Sequence, residues 1–175
     1  MTALELALCI GLISISAFIS ASEVAVFSLS RFQIRSLRER SKSAWRILRK
    51  LLNDPAGLLT TLLVTNEIVN IALTTIIAGV IDNWWRKDAA IGQSLENLLG
   101  WPQNYTWILQ VILGALITTP ILLILCEVTP KTVAARGNLV LAPLVAQPLL
   151  RLYQTLLPVR FLLIELLRVV RRFFL

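Results

Sequence analysis

The sequence predicts an all-α integral membrane protein with three transmembrane helices and amphipathic juxtamembrane helices on the cytoplasmic side. Three observations carry this. The chain of 175 residues is 57% hydrophobic and only 15% charged, against about 45–50% and about 25% for a soluble domain. Its mean hydropathy is +0.76, concentrated in three apolar stretches of spanning length. Its basic residues are clustered rather than scattered. Histidine is absent, which excludes histidine general-base chemistry and histidine-ligated zinc. The two cysteines, Cys9 and Cys126, lie in apolar runs, form no CxxC motif and read as small buried residues.

The spans run from about residue 4 to 29, 56 to 81 and 105 to 127. Each meets the roughly 20 residues that cross a bilayer. The first is too long for a signal-peptide core and has no basic residue before it, so it reads as a retained span. Arg31, Arg35, Arg38, Arg40, Lys42, Arg46, Arg49 and Lys50 follow it, whereas the 82–104 connection carries only Arg86 and Lys87. Beyond residue 130 come Lys131, Arg136, Arg151, Arg160, Arg168, Arg171 and Arg172. Positive residues stay on the cytoplasmic side. Three spans then put the N-terminus outside and the C-terminus inside, in an inner (cell) membrane of bacterial or archaeal type. Trp84, Trp85, Trp101 and Trp107 fall at the expected outer boundary, where indoles prefer to sit. Asn104-Tyr105-Thr106 is formally a glycosylation sequon at that edge.

Between the first two spans, basic residues recur every three or four positions. Ile34, Leu37, Trp45, Leu48 and Leu52 fill the opposite face. The pattern predicts one amphipathic helix over 31–52, lying in the cytoplasmic headgroup layer with its basic face on anionic membrane lipids. Nucleic acid is the rival partner for such a face, and anchorage on both sides argues against it. Asn53-Asp54-Pro55 ends this helix and starts the next, with Asp54 as cap and Pro55 in the first turn. The 137–175 tail is interrupted by Pro143, Pro148 and Pro158 and by Arg151 and Arg160. It reads as broken juxtamembrane helices. A fourth span would carry Arg168, Arg171 and Arg172 outside. The abrupt basic, aromatic ending suggests a piece of a longer protein.

Polar groups inside spans are costly and are functional candidates. Ser16, Ser20 and Glu23 share one face of the first span, and Ser22 points elsewhere. The second carries Thr60, Glu67, Asn70 and Thr74 along one stripe, with Asn66 beside it. The third ends in Glu127-Val128-Thr129-Pro130-Lys131. Pro130 lacks the amide hydrogen that would serve Cys126, and Pro120 does the same to Leu116. The bland readings are serines bonding back to their own helix and amides bonding across a helix interface. The functional reading starts from Glu23, Glu67 and Glu127, for which no span supplies a basic partner at mid-depth. Lys131 is the nearest, one turn after Glu127. Hydroxyl, amide, carboxylate and backbone oxygens without sulfur or imidazole suit a hard cation: Mg²⁺, Ca²⁺ or Na⁺.

These residues resemble a known family. Ser16-Ala17-Phe18-Ile19-Ser20-Ala21-Ser22-Glu23-Val24-Ala25 is similar to the first-span signature of the CNNM/CorC transmembrane domain. Asn66-Glu67-Ile68-Val69-Asn70 is similar to its second-span N-x-x-x-N element, and Glu127-Val128-Thr129-Pro130-Lys131 to its E-x-x-P-K element. The resemblance covers nearly the whole chain. It implies three spans over 1–136, an outside N-terminus, a cytoplasmic-side helical belt and a homodimer. It implies Mg²⁺ export coupled to Na⁺ entry, with Mg²⁺ surrounded by Ser16, Ser20, Asn66, Asn70 and Glu127. Pro130 would shape the helix, Lys131 would neutralise Glu127, and Glu23 and Glu67 would support the site. Glu67 departs from the family, which often has asparagine or an apolar residue there. The cytoplasmic CBS-pair domains, which bind ATP in many members, are absent from this chain, so no ATP site is expected. Two further readings stand beside a transporter: a non-transporting membrane Mg²⁺ sensor that regulates another transporter, and a structural anchor. No nucleophile–base pair or phosphate loop suggests an enzyme.

Overall fold

The structure, a computed structural model, describes residues 3–87, 106–159 and 161. Nearly all of the described residues are helical, with no strand among them. In chain order they form α1 (Ala3–Phe27), α2 (Arg31–Arg40), α3 (Lys42–Leu52), α4 (Pro55–Lys87) and α5 (Thr106–Leu122). A π-helical turn (Leu123–Val128), α6 (Thr129–Arg136) and α7 (Asn138–Thr155) follow. Trp101, the 104–106 sequon as a unit, and Arg160, Arg168, Arg171 and Arg172 of the tail lie outside the described residues.

Three segments are long and apolar enough to cross a membrane: Ala3–Phe27, Pro55–Asn83 and Val111–Arg136. Only 22%, 11% and 11% of their most apolar windows is buried inside the protein. Such helices gain nothing from hiding leucines from lipid; they turn them outward. Leu63, Ile71, Val111, Leu116 and Ile117 are accordingly exposed. The third segment continues as helix beyond the expected end at 127, to Arg136.

The chain divides into two compact units. The first joins Met1–Ala17 to Ile68–Thr129. Its core is Cys9, Leu73 and Cys126, with Leu12, Ile13, Ile76, Ile77 and Leu122 packed around them. Spacings of three and four put each helix's contribution on a single face. Both cysteines are buried and free, as read from the sequence. The helix continues through Pro120 and then widens into the π turn, where the Thr129 amide donates five residues back, to the Ile124 carbonyl. Pro130 follows directly and has no amide to donate. A wider turn gives its ring room that a regular α turn denies.

The second unit joins Phe18–Glu67 to Pro130–Leu175. Here the expected single helix over 31–52 is two. Ser41 sits in extended backbone (φ −151°, ψ 94°). Its amide closes α2 on the Leu37 carbonyl, and its hydroxyl caps α3 by accepting from the Ala44 amide at 3.4 Å. Serine makes this exchange cheaply because its side chain replaces a backbone acceptor. The break shifts the apolar face to Leu37, Ala44, Leu48 and Leu51, and Leu52 is only half-buried. That face is covered within the protein. α3 packs on α7, whose buried residues are Ala142, Val145, Ala146 and Leu149. The three small alanines of this packing allow close approach. Each fully buried leucine stabilises it by about 1.5–3 kcal/mol relative to exposure in water.

α7 also runs unbroken through Pro143 and Pro148, where interruption was expected. Each proline removes one backbone bond, but the buried stripe at 142, 145, 146 and 149 holds the helix on α3. The helix ends at Thr155, with Leu156 as its C-cap two residues before Pro158. Two polar ties fix the unit. Asn138 donates to the Ser28 hydroxyl (3.0 Å) and carbonyl (3.2 Å), and accepts from Gln33 Nε2 at 3.2 Å. Gln33 is itself held in a reciprocal capping box with Ser30. Asp54 caps α4 as expected, accepting from the Gly57 amide at 3.0 Å. Its other oxygen accepts from the Tyr153 hydroxyl of α7 at 2.7 Å.

Candidate metal site

Of the five candidate ligands, Ser16, Asn70 and Glu127 belong to the first unit, and Ser20 and Asn66 to the second. In the first unit Ser16 is fully buried. Its hydroxyl donates to Asn70 Oδ1 at 3.0 Å, tying α1 to α4. Ser16 also hydrogen-bonds the Cys126 thiol of the π turn. All three helices that cross the membrane thus meet at one serine. Its size lets the backbones approach, and its hydroxyl reaches two neighbours. Glu127, next to Cys126 in the π turn, is half-buried. Sequence reading missed the π turn. The one available signal was Pro130, three residues after a carboxylate in an apolar run.

In the second unit Ser20 is 1% exposed, and its hydroxyl has no hydrogen-bond partner in the protein. This contrasts with its neighbours. Ser22 bonds back to the Phe18 carbonyl at 2.7 Å, Thr61 to Gly57 at 2.7 Å and Thr65 to Thr61 at 2.7 Å. These are the self-satisfied hydroxyls of the bland reading, and Thr74 of the first unit joins them by bonding to Asn70 and Ile71 carbonyls. An orphaned buried hydroxyl costs about 1–3 kcal/mol, so Ser20 stands out. Asn66, on α4, and Pro130, in the first turn of α6, are each half-buried.

The acid surplus read from the sequence needs one correction. Glu23 is paired: Lys131 Nζ lies 3.3 Å from Glu23 Oε2, with both side chains largely shielded at 31% and 26% exposure. Lys131 therefore serves a carboxylate of the first span, a partner that spacing along the third could not reveal. Glu67 faces outward from α4, beside Ile68 and Ile71 at 56% and 57% exposure. Among the described residues, no group of three or more Cys, Asp or Glu converges as a metal cluster. The donors available are hydroxyl, amide and single carboxylate oxygens, which suit a hard, partly hydrated cation and not a soft one.

Comparison with known proteins agrees with the residues. The sequence matches the Cyclin M transmembrane N-terminal domain over residues 7–174. A UPF0053 protein of Haemophilus influenzae is 30% identical over 121 residues, covering 69% of this chain and 24% of that protein. The UPF0053 inner membrane protein YfjD of Escherichia coli is 28% identical over 121 residues, covering 69% and 23%. A chloroplastic DUF21 domain-containing protein of Arabidopsis thaliana is 28% identical over 148 residues, covering 85% and 19%. The chain spans about a quarter or less of the length of these curated relatives. With a family match across nearly its full length and three spanning helices, the chain belongs to the Cyclin M (CNNM, or DUF21/UPF0053) transmembrane domain family and is an all-α integral membrane domain.

Proposed function

We propose that this domain transports Mg²⁺ out of the cell, with Na⁺ entry as the coupled flow. In this reading Ser16, Ser20, Asn66, Asn70 and Glu127 supply the oxygens that receive the ion, and Glu127 offsets its charge. The observation that carries the reading is the Ser20 hydroxyl, buried and unpartnered in a chain whose neighbouring hydroxyls bond to their own helix. A cation is a partner that such an oxygen can accept without a proton donor. The Ser16–Asn70 bond supports it by holding two further oxygen-bearing side chains together.

Mg²⁺ gives up its water shell reluctantly. Neutral hydroxyl and amide oxygens with one carboxylate can replace part of that shell without trapping the ion, which a site of several carboxylates would do. The Glu23–Lys131 pair holds its own charges neutral, and Glu127 is the carboxylate assigned to the cation in this reading. The domain acts as a homodimer in this reading.

The test is Mg²⁺ flux in proteoliposomes, with and without an opposing Na⁺ gradient, for the wild type and Glu127→Gln. Na⁺-dependent flux that disappears in the variant is the expected result. Absence of flux together with Mg²⁺ binding that Glu127→Gln removes would turn the reading to a sensor. Unchanged Mg²⁺ binding in Glu127→Gln would refute the ligand assignment.

A further inference from the structure

The basic α2–α3 segment does something more specific than present a charged face. Arg38 lies in the last turn of α2 and Arg49 near the end of α3, on opposite sides of the break at Ser41. Both guanidiniums nevertheless sit over one indole: Arg38 Cζ and Arg49 Cζ are each 5.3 Å from the Trp45 ring centroid. The two cations are therefore no more than twice 5.3 Å apart. Arg49 reaches the ring from one turn along α3. Arg38 reaches it from α2, across the break at Ser41. Each contact gains about 0.5–1 kcal/mol at an exposed site, which offsets the repulsion of gathering like charges. Both arginines are exposed, and neither has a carboxylate partner among the described residues. Stacking on an indole orients the planar fork and leaves its N–H edge free for an oxyanion.

We infer that Arg38, Trp45 and Arg49 form a binding site for the phosphate of an anionic membrane phospholipid. Placement selects the lipid as the source. α1 ends at Phe27 and α2 begins at Arg31; α3 ends at Leu52 and α4 begins at Pro55. Both ends of the segment are tethered within a few residues of a spanning helix, so it stays at the membrane surface. Phe32, at the head of α2, is 81% exposed, an aromatic suited to the boundary between headgroup and acyl chain. The apolar face of α3 is occupied by α7, so the arginine–indole cluster, and not that face, is what α3 offers to the headgroups. The site is independent of the proposed ion-transport reading.

The test uses the full chain in nanodiscs and reads Trp45 emission, isolated by subtracting Trp45→Phe. The quenchers are brominated phosphatidylglycerol and brominated phosphatidylcholine at equal content. We expect quenching by the anionic lipid to exceed that by the zwitterionic one at least threefold. Arg38→Gln/Arg49→Gln should remove the preference. Arg40→Gln/Lys50→Gln removes the same charge from two exposed residues away from the indole and should keep it. Equal loss in both double variants would overturn the site in favour of diffuse attraction. Equal quenching by the two lipids in the wild type would overturn it outright. Suppression of the preference by millimolar inorganic phosphate, at fixed ionic strength, would identify a soluble-anion site and overturn the lipid assignment.

Discussion

Ser20→Ala should make the Mg²⁺-free protein more stable while weakening its response to Mg²⁺. The hydroxyl is 1% exposed and has no partner. Mutational data place the cost of burying such a group at about 1–3 kcal/mol. At the lower end of that range the gain is about 1 kcal/mol. For a domain of this size that is a rise of about 2–4 °C in Tm. Ser16→Ala should move the other way. It breaks the 3.0 Å bond to Asn70, and interhelical hydrogen bonds in membranes contribute about 0.6 kcal/mol. Mg²⁺ at one hundred times its Kd should add about 2.7 kcal/mol to the wild type by mass action. Loss of one ligand oxygen, at about 1.4 kcal/mol per tenfold in affinity, should cut that gain by about half. The assay is thermal unfolding in detergent, with Mg²⁺ titrated into wild type, Ser20→Ala and Ser16→Ala. A Ser20→Ala protein that melts lower than the wild type, yet keeps its full Mg²⁺ shift, would refute the argument. The hydroxyl would then be structural.

Other outcomes follow from the same contacts. Glu23→Gln and Lys131→Met, combined in a double-mutant cycle, should show a coupling of about 1–3 kcal/mol, because the 3.3 Å pair is largely shielded; additive unfolding energies would contradict the pairing. Tyr153→Phe removes a 2.7 Å bond to Asp54 and should cost about 1.5–3 kcal/mol. Hydrogen exchange should then rise at the first turn of α4. Leu48→Ala, at a 1% exposed position, should cost about 2–5 kcal/mol and release α7 from α3, seen as faster proteolysis after Leu156.

What could be read in advance depended on how local the cause was. The three spans were legible because bilayer thickness fixes the length of an apolar helix, whatever packs beside it. The Asp54 cap was legible because capping is settled within one helical turn. The break at Ser41 was not. Serine competes with the backbone at short range, but the basic and apolar periodicity continued across it, so the pattern favoured one helix. The prolines of α7 misled in the opposite sense: their local cost is real, and packing against α3 outweighs it.

The candidate site divides in the same way. The sequence by itself determined the class of protein, the three spans and the oxygen-bearing residues inside them, because burying polar groups in lipid is costly wherever it occurs. It could not determine which of those groups were already satisfied. Only the tertiary structure decided that Ser22 bonds to its own helix, that Ser16 joins Asn70, that Lys131 serves Glu23 and that Ser20 is left with an open hydroxyl. Spacing along a helix specifies which face a side chain shares. It does not specify what stands opposite, and a hydrogen bond or ion pair between helices depends on both.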